Sequence, residues 1–243
     1  MKYWICLFSA VFVPVVAFAI DGTQLLETVD RKLEPLANQA YRKLVDIQPD
    51  GSKRESVVFT MKKGPDAVIA LFLAPAGDKG RVTLRQGDNL WLYTPDVGRT
   101  IRFTGLQAGT GIVFNSADLV RIDYSAEYDV VSVDERSDVY LLTMKAKAGK
   151  LAYDRLTMRV DKASMLPLVI EGFSADGVLL KTIRFTDVRD FGGGIRRPAT
   201  IETESPLFAG YKSVMTWLSI AAREAPDEVF TINNLPRVQE QRQ

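Results

Sequence analysis

The chain has 243 residues, with 31 Lys+Arg against 30 Asp+Glu and 47% apolar content, which suits a globular domain with an ordinary core and excludes disorder. A net charge of +1, no histidine and one cysteine, Cys6, within the first ten residues, exclude whole classes of function: no field to draw a polyanion, no imidazole for Ser-His-Asp, Cys-His or HExxH sites, and no second thiol for an intrachain disulfide, CxxC redox chemistry or a Cys-ligated metal. No cofactor or metal is expected, and nucleic acid is not an expected partner.

Lys2 precedes an apolar stretch running to Ile20 that ends in Ala17-Phe18-Ala19. This small-x-small ending after an apolar run is what signal peptidase accepts, so residues 1–19 are expected to be a signal peptide cleaved after Ala19. Pro14 and the Ala-x-Ala ending set the segment apart from a membrane anchor. Cys6 lies too early in it to become a lipidated first residue. Residues 20–243 are then expected to form a single domain in the periplasm.

From 21 to 47, Leu26, Val29, Leu33, Leu36, Ala40 and Leu44 recur at spacings of three or four, which predicts an amphipathic helix with Asp21 and Gln24 as a capping box. Pro35 divides it into two helices. Pro49-Asp50-Gly51-Ser52 is a turn. Beyond it come short β-rich runs at 56–62, 67–74, 81–86, 90–94, 100–103, 128–134, 139–146, 153–161, 167–173, 178–185, 195–203 and 211–219. Short turns join most of them, at Gly87-Asp88-Asn89, Asp176-Gly177 and Gly192-Gly193-Gly194, so the sheet is an antiparallel meander. About a dozen sequential strands require strong curvature or a partial barrel. The long connection 104–127 has glycines at 105, 109 and 111 and a short helix beginning at Ser116; a loop of this length is a lid or a core-packing excursion. At the C-terminus, 226–230 is a terminal turn, and a polar tail starts at about 237.

Alternation sets Leu156, Met158 and Val160 against Arg155, Thr157 and Arg159, and sets Leu168 and Ile170 against Glu171. Other strands are apolar on both faces: Leu90 and Leu92 point one way, Trp91 and Tyr93 the other. Such a sheet needs cover on both sides, or a ligand or partner on one. Asp118, Asp123, Glu127 and Asp134 have no visible partner and read as solvated surface. The triple glycine lacks the Lys-Ser/Thr ending of a phosphate loop, and no serine sits in a GxSxG setting. The chain is therefore expected not to be an enzyme. What remains is an excess of methionine and aromatic side chains on strands, suited to a cavity that admits acyl chains of differing shape.

Gly87-Asp88-Asn89-Leu90-Trp91-Leu92-Tyr93-Thr94-Pro95 resembles the G-x-x-L-W-x-Y-x-P strand of the bacterial outer-membrane lipoprotein-sorting family, the LolA-like carriers. Arg99-Thr100-Ile101, Phe114-Asn115-Ser116-Ala117-Asp118-Leu119, Lys181-Thr182-Ile183-Arg184-Phe185 and Arg197-Pro198 follow in the family's order. The resemblance covers nearly the whole mature chain. It implies an incomplete, half-open antiparallel β-barrel with helices over its concave face. The implied function is a periplasmic carrier that shields the acyl chains of a lipid or lipoprotein on the way to the outer membrane or with a lipid exporter. Implied partners are the lipidated cargo and an inner-membrane exporter or outer-membrane acceptor. The alternative is an envelope-stress sensor or assembly-factor module that binds a protein through the same half-barrel. The residues chosen to line the cavity are Trp91, Tyr93, Phe103, Phe114, Met144, Met158, Ile170 and Phe185.

Overall fold

The computed structural model describes residues 20–104, 119–147 and 151–242, with residues 103 and 104 described by their backbone alone. Helix α1 (Gly22–Leu33) begins at Asp21, whose carboxylate accepts hydrogen bonds from the backbone N–H groups of Thr23 and Gln24, as an N-cap should. It ends before Pro35. The second helix expected as far as residue 47 is instead strand β1 (Ala37–Ile47). The physical reason lies in the spacing: Leu36, Ala40 and Leu44 are four apart, an interval that fits one helix face and also one face of a strand. Asn38, Ala40, Arg42 and Leu44 all point inward, and β1 is a central strand with a neighbour on each side. Tertiary pairing therefore overrode a local pattern compatible with both.

The remaining strands follow the expected runs closely: β2 (Lys53–Lys63), β3 (Ala67–Ala74), β4 (Val82–Gln86), β5 (Asn89–Thr94), β6 (Arg99–Thr104), β7 (Tyr128–Glu135), β8 (Val139–Ala146), β9 (Arg155–Asp161), β10 (Pro167–Phe173), β11 (Leu179–Asp190), β12 (Arg196–Glu204) and β13 (Lys212–Ala222). They form one sheet in the order β6-β5-β4-β3-β2-β1-β13-β12-β11-β10-β9-β8-β7, with every pairing antiparallel. Two meanders thus meet at β1 and β13. The free edges, β6 and β7, are consecutive in sequence yet unpaired, so the barrel stays open. The expected short helix at Ser116 lies outside the described residues; the connection re-enters with Leu119 and a single turn, α2 (Tyr124–Glu127).

Each face of the sheet carries a core, the outer one over β2 to β5. On the inner face, Leu25, Leu26, Val29 and Leu33 of α1 pack with Leu119, Val120, Ile122 and Tyr124 over the inward side chains of the strands. Gly22 makes this seating possible, because a Cβ there would come within 2.6 Å of Val130 Cγ1 on β7. On the outer face, Phe59, Met61, Ile69, Leu71, Val82 and Leu84 form a second core. It is closed by two 3-10 segments, Asp227–Phe230 and Ile232–Arg242, through Val229, Phe230, Leu235 and Val238. The end expected as a polar tail is therefore anchored: Val238 is fully buried. Leu168, expected inward with Ile170, is exposed, because the β9–β10 register shifts between Pro167 and Val169.

Candidate functional site

The inner face divides into two zones. Strands β8 to β11 present an apolar bed: Leu142 and Met144, Leu156 with Met158 and Val160, then Ile170 and Phe185, all buried. Register carries it across the sheet, since Leu142 opposes Met158, Met158 opposes Ile170, and Ile170 opposes Ile183. Residues directly opposite in an antiparallel pair share a face, so one inward set recruits the next. Gly172 serves the same bed: a Cβ there would approach the Tyr153 ring to 2.6 Å, so glycine leaves the room that the ring fills.

Strands β1, β2, β4 and β12 instead bring charged side chains inward. Glu34, at the end of α1, accepts from Arg42 at 2.9 Å and lies 3.3 Å from Arg197. Arg197 also donates to the Leu33 carbonyl at 2.5 Å, and Arg42 donates to the Leu119 carbonyl at 3.3 Å. The two guanidiniums stack on the Trp217 ring at 4.6 and 3.8 Å. Burial pushes the Glu34 carboxyl up, but Arg42, Lys62, Arg197 and Arg121 overturn that and hold it at about 2. Burial, helped by Arg121 and Arg31, pushes Lys62 down to about 8 against the pull of Glu34 and Asp30.

This ionic zone fastens the segment 119–127. Asp123 pairs with Lys62 of β2 and Arg31 of α1, and Glu127 pairs with Arg85 of β4. Asp30 accepts from the backbone N–H groups of Tyr124 and Ser125, both at 2.9 Å. Asp123 and Glu127, expected as solvated surface, are thus structural anchors, whereas Asp134 is exposed beside Arg136 as expected. Asp118 lies outside the described residues.

The structure separates the cavity residues chosen from sequence. Met144, Met158, Ile170 and Phe185 belong to one inner core. Trp91 and Tyr93 pack on the opposite face, against the core closed by the C-terminal segments. The reason is register: Trp91 opposes Leu84 and Tyr93 opposes Val82, both outward. Only one face of a strand can look into a given cavity, so the W-x-Y pair and the methionines do not line one space. Phe103 opposes Leu90 in register, and Phe114 lies outside the described residues.

Among the described residues, small voids lie inside. One, of about 40 Å³, is bordered by Arg85, Tyr128, Leu156, Ile170 and Ile183. Another, of about 30 Å³, is bordered by Glu34, Arg42, Phe185, Ile201, Thr203, Met215 and Trp217. Arg121, Tyr124 and Ile183 border both. A larger cleft of about 650 Å³ runs along Val131 and residues 143–146 to the 174–177 turn, touching Met144. Sequence reading missed Glu34, Arg42, Lys62 and Arg197. The signal was there to use, since Arg42 and Lys62 sit at inward positions of strands whose flanking inward residues are small or apolar.

An open antiparallel sheet with helical cover on its inner face defines a LolA-like half-barrel. Residues 64–237 match the model of a family described as "-like: Uncharacterized protein", and the chain belongs to that family. Among solved structures it is similar to a LolA superfamily protein from Nitrosomonas europaea, at TM-score 0.78 and 24% identity over 88% of this chain and 99% of that one. It is also similar to a DUF1329 family protein from Desulfovibrio piger, at TM-score 0.74 and 21% identity over 88% and 97%. A third relative, described as an outer membrane lipoprotein-sorting protein domain from Vibrio parahaemolyticus, gives TM-score 0.74 and 19% identity over 89% and 98%. These likenesses are of fold. No curated protein matches the sequence, and among the described residues no helix is long and apolar enough to cross a membrane.

Proposed function

We propose that this chain is an exported, periplasmic, non-enzymatic carrier that shields acyl chains of a lipid or lipoprotein inside the half-barrel, with residues 1–19 removed as a signal peptide. The observation that carries the proposal is the continuous apolar bed from Met144 through Met158 and Ile170 to Phe185, covered among the described residues by one helix and the segment 119–127. The similar fold of a protein described as a lipoprotein-sorting domain supports it. The voids of about 40 and 30 Å³ are far smaller than an acyl chain, so uptake requires the cover to move. Burial at about 0.8 kcal/mol per CH₂ would hold a long chain by roughly 10 kcal/mol, so release needs the same movement.

Substituting Met158→Gln keeps the side chain's length while placing an amide in the bed, at a cost of about 1–3 kcal/mol for a buried polar group. Folded Met158→Gln protein should bind a fluorescent acyl probe at least several-fold more weakly than wild type, while Arg159→Gln on the outer face should bind normally. Equal binding by both variants would remove the bed as the acyl site.

A further inference from the structure

The second void combines apolar walls with donors that no described residue uses. Ile183, Phe185, Ile201 and Met215 form one side of it. On the other side stand Arg42, Thr203 and Trp217, each at least nine-tenths buried. Among the described residues, Arg42 Nε, Trp217 Nε1 and Thr203 Oγ1 have no hydrogen-bond partner, nor does Nη2 of Arg197 stacked behind the indole. Guanidinium and indole nitrogens can only donate, and a hydroxyl can donate as well, so what fits them is a group that only accepts.

Charge points the same way. Arg42 and Arg121 border the void, Arg197 lies against Trp217, and the single carboxylate among them is Glu34. The carboxylates next along the interior are already engaged: Asp123 with Lys62 and Arg31, Glu127 with Arg85, and Asp30 with two backbone N–H groups. This end of the interior is left short of negative charge, and burial pushes Arg197 down to about 9 despite Glu34. Uncompensated buried charge is costly, and an ionised acceptor both supplies the counter-charge and makes the stronger class of hydrogen bond.

We infer that the cargo is an anionic amphiphile, whose carboxylate or phosphate head docks on Arg42, Trp217 and Thr203 while its chain runs across Ile183 toward Ile170. This rests on the carrier reading above and narrows it, because the head-group site would favour a free acidic lipid over a neutral acyl ester. Arg121 and Tyr124, which stand between the two voids, are the side chains such a chain must displace.

Three probes of equal chain length separate the alternatives: dodecanoate, dodecyl phosphate and dodecanol, with inorganic phosphate as a fourth. Titration calorimetry on delipidated protein should show one or both anions binding at least about tenfold more tightly than the alcohol, the scale of one charge-assisted hydrogen bond. Whichever anion binds more tightly identifies the head group. Thr203→Val removes a hydroxyl that bonds to no described residue, so melting should be unchanged or raised while anion affinity falls severalfold and dodecanol affinity holds. Equal binding of all three amphiphiles, or an unchanged Thr203→Val affinity for the anions, would overturn the head-group inference and leave the carrier reading standing. Binding of none of the amphiphiles would overturn the carrier reading itself. Inorganic phosphate binding as tightly as dodecyl phosphate would reduce the site to one for a free anion.

Discussion

Strands β8 to β11 and strands β1, β2, β4 and β12 look into the same interior and meet the same cover, through opposite chemistry. In the first zone Met144, Met158, Ile170 and Phe185 offer contacts without direction. In the second, Glu34, Arg42, Lys62, Arg85 and Arg197 meet partners through defined hydrogen bonds. Apolar contact is non-directional, so an alkyl chain can take the place of a covering side chain at little cost. A buried ion pair has no such substitute, since parting it leaves a charge without a partner. The lesson is a division of labour: one zone can exchange its contacts, while the other fixes where the cover returns.

The strongest way to break this contrast is Glu34→Gln. It leaves Arg42 and Arg197 buried without a carboxylate, and urea unfolding should show a loss of about 3–5 kcal/mol. The same variant sharpens the contrast through pH. The folded pKa of Glu34, about 2, lies below its ordinary 4.5, so its stabilisation is complete above about 4.5 and is lost as pH falls toward 2. The difference is worth about 3 kcal/mol at about 1.4 kcal/mol per pH unit. Wild type should show that acid limb in a stability–pH profile, and Glu34→Gln should lack it.

In the apolar zone, Met158→Ala should cost about 3 kcal/mol by equilibrium unfolding, from lost transfer energy plus the cavity left behind. That loss should be independent of pH between 2 and 7 and should be partly recovered on adding an acyl ligand that fills the space. The smallest effect belongs to a pair outside both zones. Lys43 and Glu55 lie 2.8 Å apart, with 39% and 55% of their side chains exposed, and Lys43→Met should change stability by less than about 1 kcal/mol. A larger loss there would mean that ion pairs stabilise this chain by number rather than by burial.

Period-two alternation and turn chemistry placed twelve strands within a few residues, because each signal is local: Gly177 and the glycines at 192–194 all adopt positive φ where a turn was expected. β1 was not legible as a strand, since Leu36, Ala40 and Leu44 satisfy helix and strand periods alike and only pairing with β2 and β13 distinguishes them. The candidate site was legible in part. The inward set Leu156, Met158 and Val160 follows from alternation, but which face of β5 looks into the barrel does not, because Leu90 and Trp91 are both apolar.

The sequence by itself determined twelve of the thirteen strands, the turns between them, the cap of α1 and the lack of any imidazole, the first three being properties of residues near one another in the chain. Only the tertiary structure decided that Trp91 and Tyr93 face the C-terminal segment, that Asp123 is a buried anchor and Glu127 a partly buried one, and that Glu34 meets Arg42 and Arg197. The last contact spans 163 positions. Nothing local records such a pairing, because a charged residue's burial depends on a partner that only the folded chain brings to it.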